Sequence, residues 1–220
     1  MLDIICSLTA FAVAGFAFVF GAINLFSKKK PLYFQLLIYA VGCFALQLLS
    51  DCVLLWCGNA LRAVSVGTLG ILGCNFFLLS ANYGQLDSIV DDGGKQNKPA
   101  KIAAIISPIS LAVLGVLAFA IRSSMDTFGA IVWAVVLLPA LPASYYNTKH
   151  LIMPMDDFGF LRATRPCNIA ALVFYLCSTL YAITLALDIA VLYDIFTVAM
   201  SLSVLAIALV GVKGAEKWGI

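Results

Sequence analysis

The sequence predicts an all-α membrane protein, a bundle of seven transmembrane helices, and three observations carry that prediction. Of the 220 residues 63% are hydrophobic and only 11% charged, whereas a soluble domain carries about 25% charged residues. Mean hydropathy is +1.06. The apolar residues collect in seven stretches, 4–26, 32–57, 64–83, 101–121, 128–147, 167–190 and 195–212. About 20 such residues cross about 30 Å of hydrocarbon. The third observation is charge. The connections alternate between basic and nearly uncharged, which an even or miscounted set of spans would scramble. Helix is the state required, because lipid cannot satisfy an open backbone and the alternation of a membrane barrel is absent.

Each stretch has its own features. The first opens on acidic Met1-Leu2-Asp3 and is followed by Lys28, Lys29 and Lys30. That order suits a retained span entering from outside and lacks the positive n-region of a signal peptide. Its Ala10, Ala14, Ala17 and Gly21, like Ala63, Gly67, Gly70 and Gly73 before and within the third stretch, form small faces that let helix backbones approach. The second stretch follows Pro31 and carries Gln47, Ser50 and Asp51 on one face at i, i+3 and i+4. The third holds Asn75, Ser80 and Asn82 in its inner half, and the fourth holds Ser107-Pro108. Pro139 and Pro142 predict a kink in the fifth, since each proline removes a helical hydrogen bond. The sixth follows Arg165-Pro166 and bears a polar stripe of Ser178, Tyr181, Thr184 and Asp188; the seventh ends at Lys213 and Lys217.

Eleven basic residues fall on one side of this map, and only Arg62 and Arg122 on the other. Lysine and arginine stay in the cytosol, so the expected orientation is N-terminus out and C-terminus in, in the plasma membrane. The chain reads as one domain, 1–220. Within it, Pro31 to Asp51 and Pro166 to Asp188 run alike, which suggests two parallel three-helix units, 4–83 and 128–212, joined by a linker helix over 101–121.

Ionisable groups inside a bilayer are costly and mark candidate sites. Asp51 and Asp188, each reckoned about 9 Å inside the outer end of its helix, are the candidates here. With Gln47, Ser50, Ser178, Tyr181 and Thr184 they either line a polar cavity that binds a cation or proton, or merely reach interfacial water. Enzyme chemistry is not expected: a single histidine (His150), a single glutamate (Glu216) and no GxSxG elbow leave no metalloprotease, di-metal or serine-hydrolase constellation. No cofactor and no metal is expected. No segment is basic enough for nucleic acid. The seven cysteines lie mostly in apolar runs without a CxxC pair and read as free thiols, including Cys6 and Cys57 near the outer face. The expected partners are the lipid bilayer, a small solute or cation, and a cytosolic protein. Two functions stay open. One is a small-solute permease or exporter; the other is a receptor-like or regulatory module acting on a cytosolic partner through the 84–100 and 148–166 loops.

Overall fold

A computed structural model describes residues 2–26, 30–58, 64–87, 98–120, 126–152 and 159–218. Among these residues the chain is all-helical: α1 (Leu2–Leu25), α2 (Leu32–Trp56), α3 (Thr68–Leu79) continuing as a π-helix (Ser80–Asp87), α4 (Lys98–Ala120), α5 (Thr127–Leu137), α6 (Ala140–Ile152), α7 (Gly159–Leu187) and α8 (Ala190–Trp218). Five helical stretches are long and apolar enough to cross a bilayer: Asp3–Leu25, Leu32–Trp56, Thr127–Ile152, Ala163–Leu187 and Ala190–Lys217. The two remaining apolar segments are α4, whose apolar part is Ala104–Val116, and α3, which lasts only 12 residues before the π-helix begins. The outward faces are built for lipid. Phe16, Ile23, Leu46, Leu69, Ile106, Val116, Ile131, Leu138, Ile169 and Leu202 are all exposed, an apolar display that water would not tolerate on a monomer.

Neighbouring helices close a ring. α1 packs on α2, α2 on α3, α3 on α5 and α6, α6 on α7, α7 on α8, and α8 back on α1, while α4 lies outside against α6 and α7. Phe34, Leu37, Ile38, Phe44 and Leu48 of α2 fill the middle, with Phe44 edge-on to Phe174 of α7 at 5.3 Å.

The small faces do what their composition requires. Ala10, Ala14 and Ala17 are buried where α1 meets its neighbours, and a Cβ on Gly21 would collide with the Ile38 side chain. A Cβ on Gly70 would stand 2.5 Å from the Cys43 carbonyl oxygen and 2.7 Å from Gln47 Cβ, so α3 rests on the backbone of α2 there. Gly70→Ala is therefore expected to cost about 1–3 kcal/mol, read as a lower thermal midpoint in detergent. Gly15→Ala, where a Cβ meets nothing within 4 Å, should leave the midpoint unchanged or raise it. Equal midpoints for the two variants would show that α3 does not press on α2.

The expected kink in 128–147 is a two-residue interruption, Leu138-Pro139, between α5 and α6. Beside it the Val136 carbonyl is taken by Asn75 Nδ2 of α3 at 3.0 Å, so a neighbouring helix supplies the donor where the proline interrupts the ladder. Asp126 caps α5 by accepting from Gly129 N at 2.8 Å.

Three boundaries differ from expectation. α7 starts at Gly159 and carries Pro166 inside it, because packing against α6 and α8 holds a helix through a proline that would end an isolated one. The connection placed after 190 is instead a two-residue turn at Asp188 and Ile189. Ile189 N donates to Thr184 O at 3.0 Å and Asp188 N to Leu185 O at 3.4 Å, a Schellman closure with Asp188 left-handed at φ 55°. The third helix widens to π at Ser80. Consequently Pro31 precedes α2 while Pro166 lies inside α7, and Asp51 lies inside α2 while Asp188 lies beyond α7. The Pro-to-Asp likeness does not mark equivalent positions.

Candidate functional site

Antiparallel packing separates the charges. The described basic side chains, Lys30, Lys101, Lys149, Arg165, Lys213 and Lys217, sit at the ends of their helices that share one end of the bundle. Lys30 Nζ donates to the Ala215 carbonyl at 3.4 Å, tying the start of α2 to the end of α8. The opposite end collects Asp3 of α1, Asp51 of α2, Asp188 of the turn and Asp194 of α8. Arg62 and Arg122 lie outside the described residues, as do most of the two basic-side connections at 88–97 and 153–158.

The acidic end has a buried part and an open part. Asp51 is 5% exposed; its Oδ2 accepts from Gln47 Nε2 at 3.3 Å, and Gly67 at the head of α3 leaves room for its Oδ1, which a Cβ there would approach to 3.2 Å. Asp194 is 6% exposed and lies beside the Asp3 carboxyl group, within electrostatic range of it. The Tyr181 and Tyr193 rings lie 4.8 Å apart, and Trp133 packs on Tyr181 at 5.6 Å. Tyr193 is in electrostatic range of Asp51, Asp194 and Asp3. Two buried acceptors here, Gln47 Oε1 and Asp194 Oδ1, have no hydrogen-bond partner. The open part is a cavity of about 200 Å³ lined by Asp3, Leu55, Thr184, Leu185, Asp188, Ile189, Ala190 and Tyr193. Among the described residues no three histidine, cysteine or carboxylate groups converge to hold a metal ion.

Of the residues singled out from sequence, Gln47, Asp51 and Tyr181 come together at this end. Ser50 is half-buried one residue away. Ser178 and Thr184 are buried, but each hydroxyl donates to its own helix, to Tyr175 O at 3.0 Å and to Tyr181 O at 2.8 Å. Asp188 is exposed at the rim of the cavity and not inside a helix. The buried acid that accompanies Asp51 is Asp194, which the sequence reading placed in a connection. Asp51 lies five residues from the end of α2 and Asp194 four residues into α8, depths of about 7.5 and about 6 Å at about 1.5 Å per residue. The signal for Asp194 was present: Asp194, Thr197 and Ser201 fall at i, i+3 and i+7, and all three are buried.

The other end holds a second buried polar group that the sequence left scattered. His150 Nδ1 lies 3.2 Å from Asn82 Oδ1. Asn82 Nδ2 donates to Asn147 Oδ1 at 3.0 Å, and Asn147 Nδ2 donates to the Ala143 carbonyl at 2.8 Å and to the Tyr175 hydroxyl at 3.3 Å. These contacts join the π-helix, α6 and α7. Short π-helical segments recur at functional sites.

Comparison with known protein families, with characterised proteins and with solved structures finds no match for this chain.

Proposed function

We propose that this chain is a small-solute permease or exporter whose transport is coupled to a proton or cation held at the acidic end. One observation carries the reading. Asp51 and Asp194 are buried together with two orphaned acceptors, Gln47 Oε1 and Asp194 Oδ1, and among the described residues no lysine or arginine is positioned to neutralise them. Carboxyl groups side by side, as Asp3 and Asp194 are, repel unless a proton or cation lies between them. An ionisable residue paid for in this way inside a membrane helix marks an ion pathway.

The full architecture belongs to the same proposal. α3 with its π-helix and α4 complete seven spans, with the acidic end outside and the basic end in the cytosol of a cell whose plasma membrane holds the protein. The ring order is compatible with a parallel repeat: within the ring, replacing α1, α2 and α3 by α5/α6, α7 and α8 maps each neighbour pair onto another, while α4 packs against α6 and α7 of one unit. α4 is then the linker.

Topology reporters inserted after Lys30, Gly94, Arg162 and Trp218 are expected in the cytosol, and those at Asn59, Ser124 and Ile189 outside. Reporters at Gly94 and Trp218 on opposite sides would end the seven-span reading. For coupling, proteoliposomes carrying a pH-sensitive or sodium-sensitive dye and a potassium diffusion potential should show ion entry well above protein-free vesicles. Rates equal to those of protein-free vesicles would remove the transport reading.

A further inference from the structure

The open cavity at the acidic end sets two carboxylates, a threonine hydroxyl and a tyrosine against an apolar surface. Asp3 and Asp188 bring carboxylates from α1 and from the turn after α7. Thr184 also faces it, and because the Thr184 hydroxyl proton is committed to the Tyr181 carbonyl at 2.8 Å, the oxygen has only lone pairs left to offer. Tyr193 forms another part of the wall, its ring stacked on Tyr181. Behind the wall Asp194, beside Asp3, keeps Oδ1 without a partner while 6% exposed. Leu55, Leu185, Ile189 and Ala190 supply an apolar surface beside these groups.

From this wall we infer that the cavity binds a small organic ammonium ion, a primary amine on a short hydrocarbon body. The inference rests on the transport reading only for calling that ion the solute carried; the binding site stands on the geometry. A primary ammonium suits a wall whose two charged groups, Asp3 and Asp188, are both carboxylates, since it has three donors and no acceptor. Its charge is attracted by Asp3 and Asp188 and by the face of Tyr193. A bare metal ion leaves the apolar surface unused and lacks a converging ligand set among the described residues. An anion meets carboxylates on both sides. The volume, about 200 Å³, is that of about seven waters at about 30 Å³ each, and so admits a solute of roughly that many heavy atoms.

The test uses the purified full chain in detergent, titrated by calorimetry with n-butylammonium chloride, tetramethylammonium chloride, 1-butanol and sodium chloride. Saturable binding of n-butylammonium is expected, with tetramethylammonium weaker by about tenfold or more, because it offers no N–H to the carboxylates. No binding of 1-butanol is expected. Asp188→Asn keeps a residue type that tolerates the left-handed turn and should weaken n-butylammonium about tenfold or more; Asp3→Asn should do the same. Binding of n-butylammonium no tighter than 1-butanol or tetramethylammonium, or unchanged in both variants, overturns the inference. Ion entry into proteoliposomes without any amine binding overturns it while leaving the coupled-transport reading in place. Amine binding without ion or amine movement across vesicles upholds it and removes that reading instead.

Discussion

Replacing Asp194 by asparagine is expected to abolish ion-coupled uptake in proteoliposomes while the bundle still assembles. Asparagine keeps the size of the side chain, but it carries no charge and releases no proton. Losing one charged acceptor weakens a bound cation by about 1.5–3 kcal/mol, roughly tenfold to a hundredfold in affinity. Asp51→Asn should act in the same direction, since both carboxyls are buried and both are in electrostatic range of Tyr193. Asp126 provides the contrast. It is exposed and caps α5 through Gly129 N, a bond that asparagine also accepts, so Asp126→Asn should transport normally. Uptake at the level of the unaltered protein in the Asp51→Asn, Asp194→Asn double variant would take the acidic end out of the mechanism.

A large stability effect is expected at the opposite end. Asn147 accepts from Asn82 and donates to Ala143 O and the Tyr175 hydroxyl, and Asn147→Leu removes all three bonds at once. Single interhelical hydrogen bonds in membranes average about 0.6 kcal/mol and reach about 1.7. With Asn82 Nδ2 left buried and unpaired, a loss of about 2 kcal/mol is expected. The measurement is a denaturant titration in mixed micelles. Asn24→Leu removes only a bond to the carbonyl of Phe20, in its own helix, and should change stability little. Similar midpoints for the two variants would mean that the network does not hold α6 and α7 to the π-helix. A double-mutant cycle between Asn82 and Asn147 separates their direct coupling from local repacking.

Much of the fold was legible because lipid imposes it. Apolar stretches of sufficient length, Ala14 and Gly70 on small faces, and Pro139 at a break are each read from one position and its neighbours. Half of the acidic site was legible for the same reason: Gln47 and Asp51 are one turn apart on one helix. Asp194 was misplaced because the turn before it carries no conventional mark. A glycine or asparagine usually supplies the left-handed residue that closes a helix, whereas here Asp188 does, so the connection was set several residues too late. The Asn82, Asn147 and His150 network was beyond reach on other grounds. Asn82 and Asn147 are 65 residues apart, and a single sequence contains no term that joins them. Nor does composition distinguish a helix that widens to π at Ser80 from one that continues regularly.

The two-residue turn at Asp188 and Ile189 also bears on how the protein is made. α7 and α8 are 29 residues each, and so short a connection gives them no slack to be handled separately. Insertion as one hairpin, partitioning into the bilayer in a single event, is the expected consequence. In the proposed orientation Arg165 near the start of α7 and Lys217 near the end of α8 would both stay on the side of synthesis, and the hairpin would carry its apolar middle and its acidic tip across the membrane.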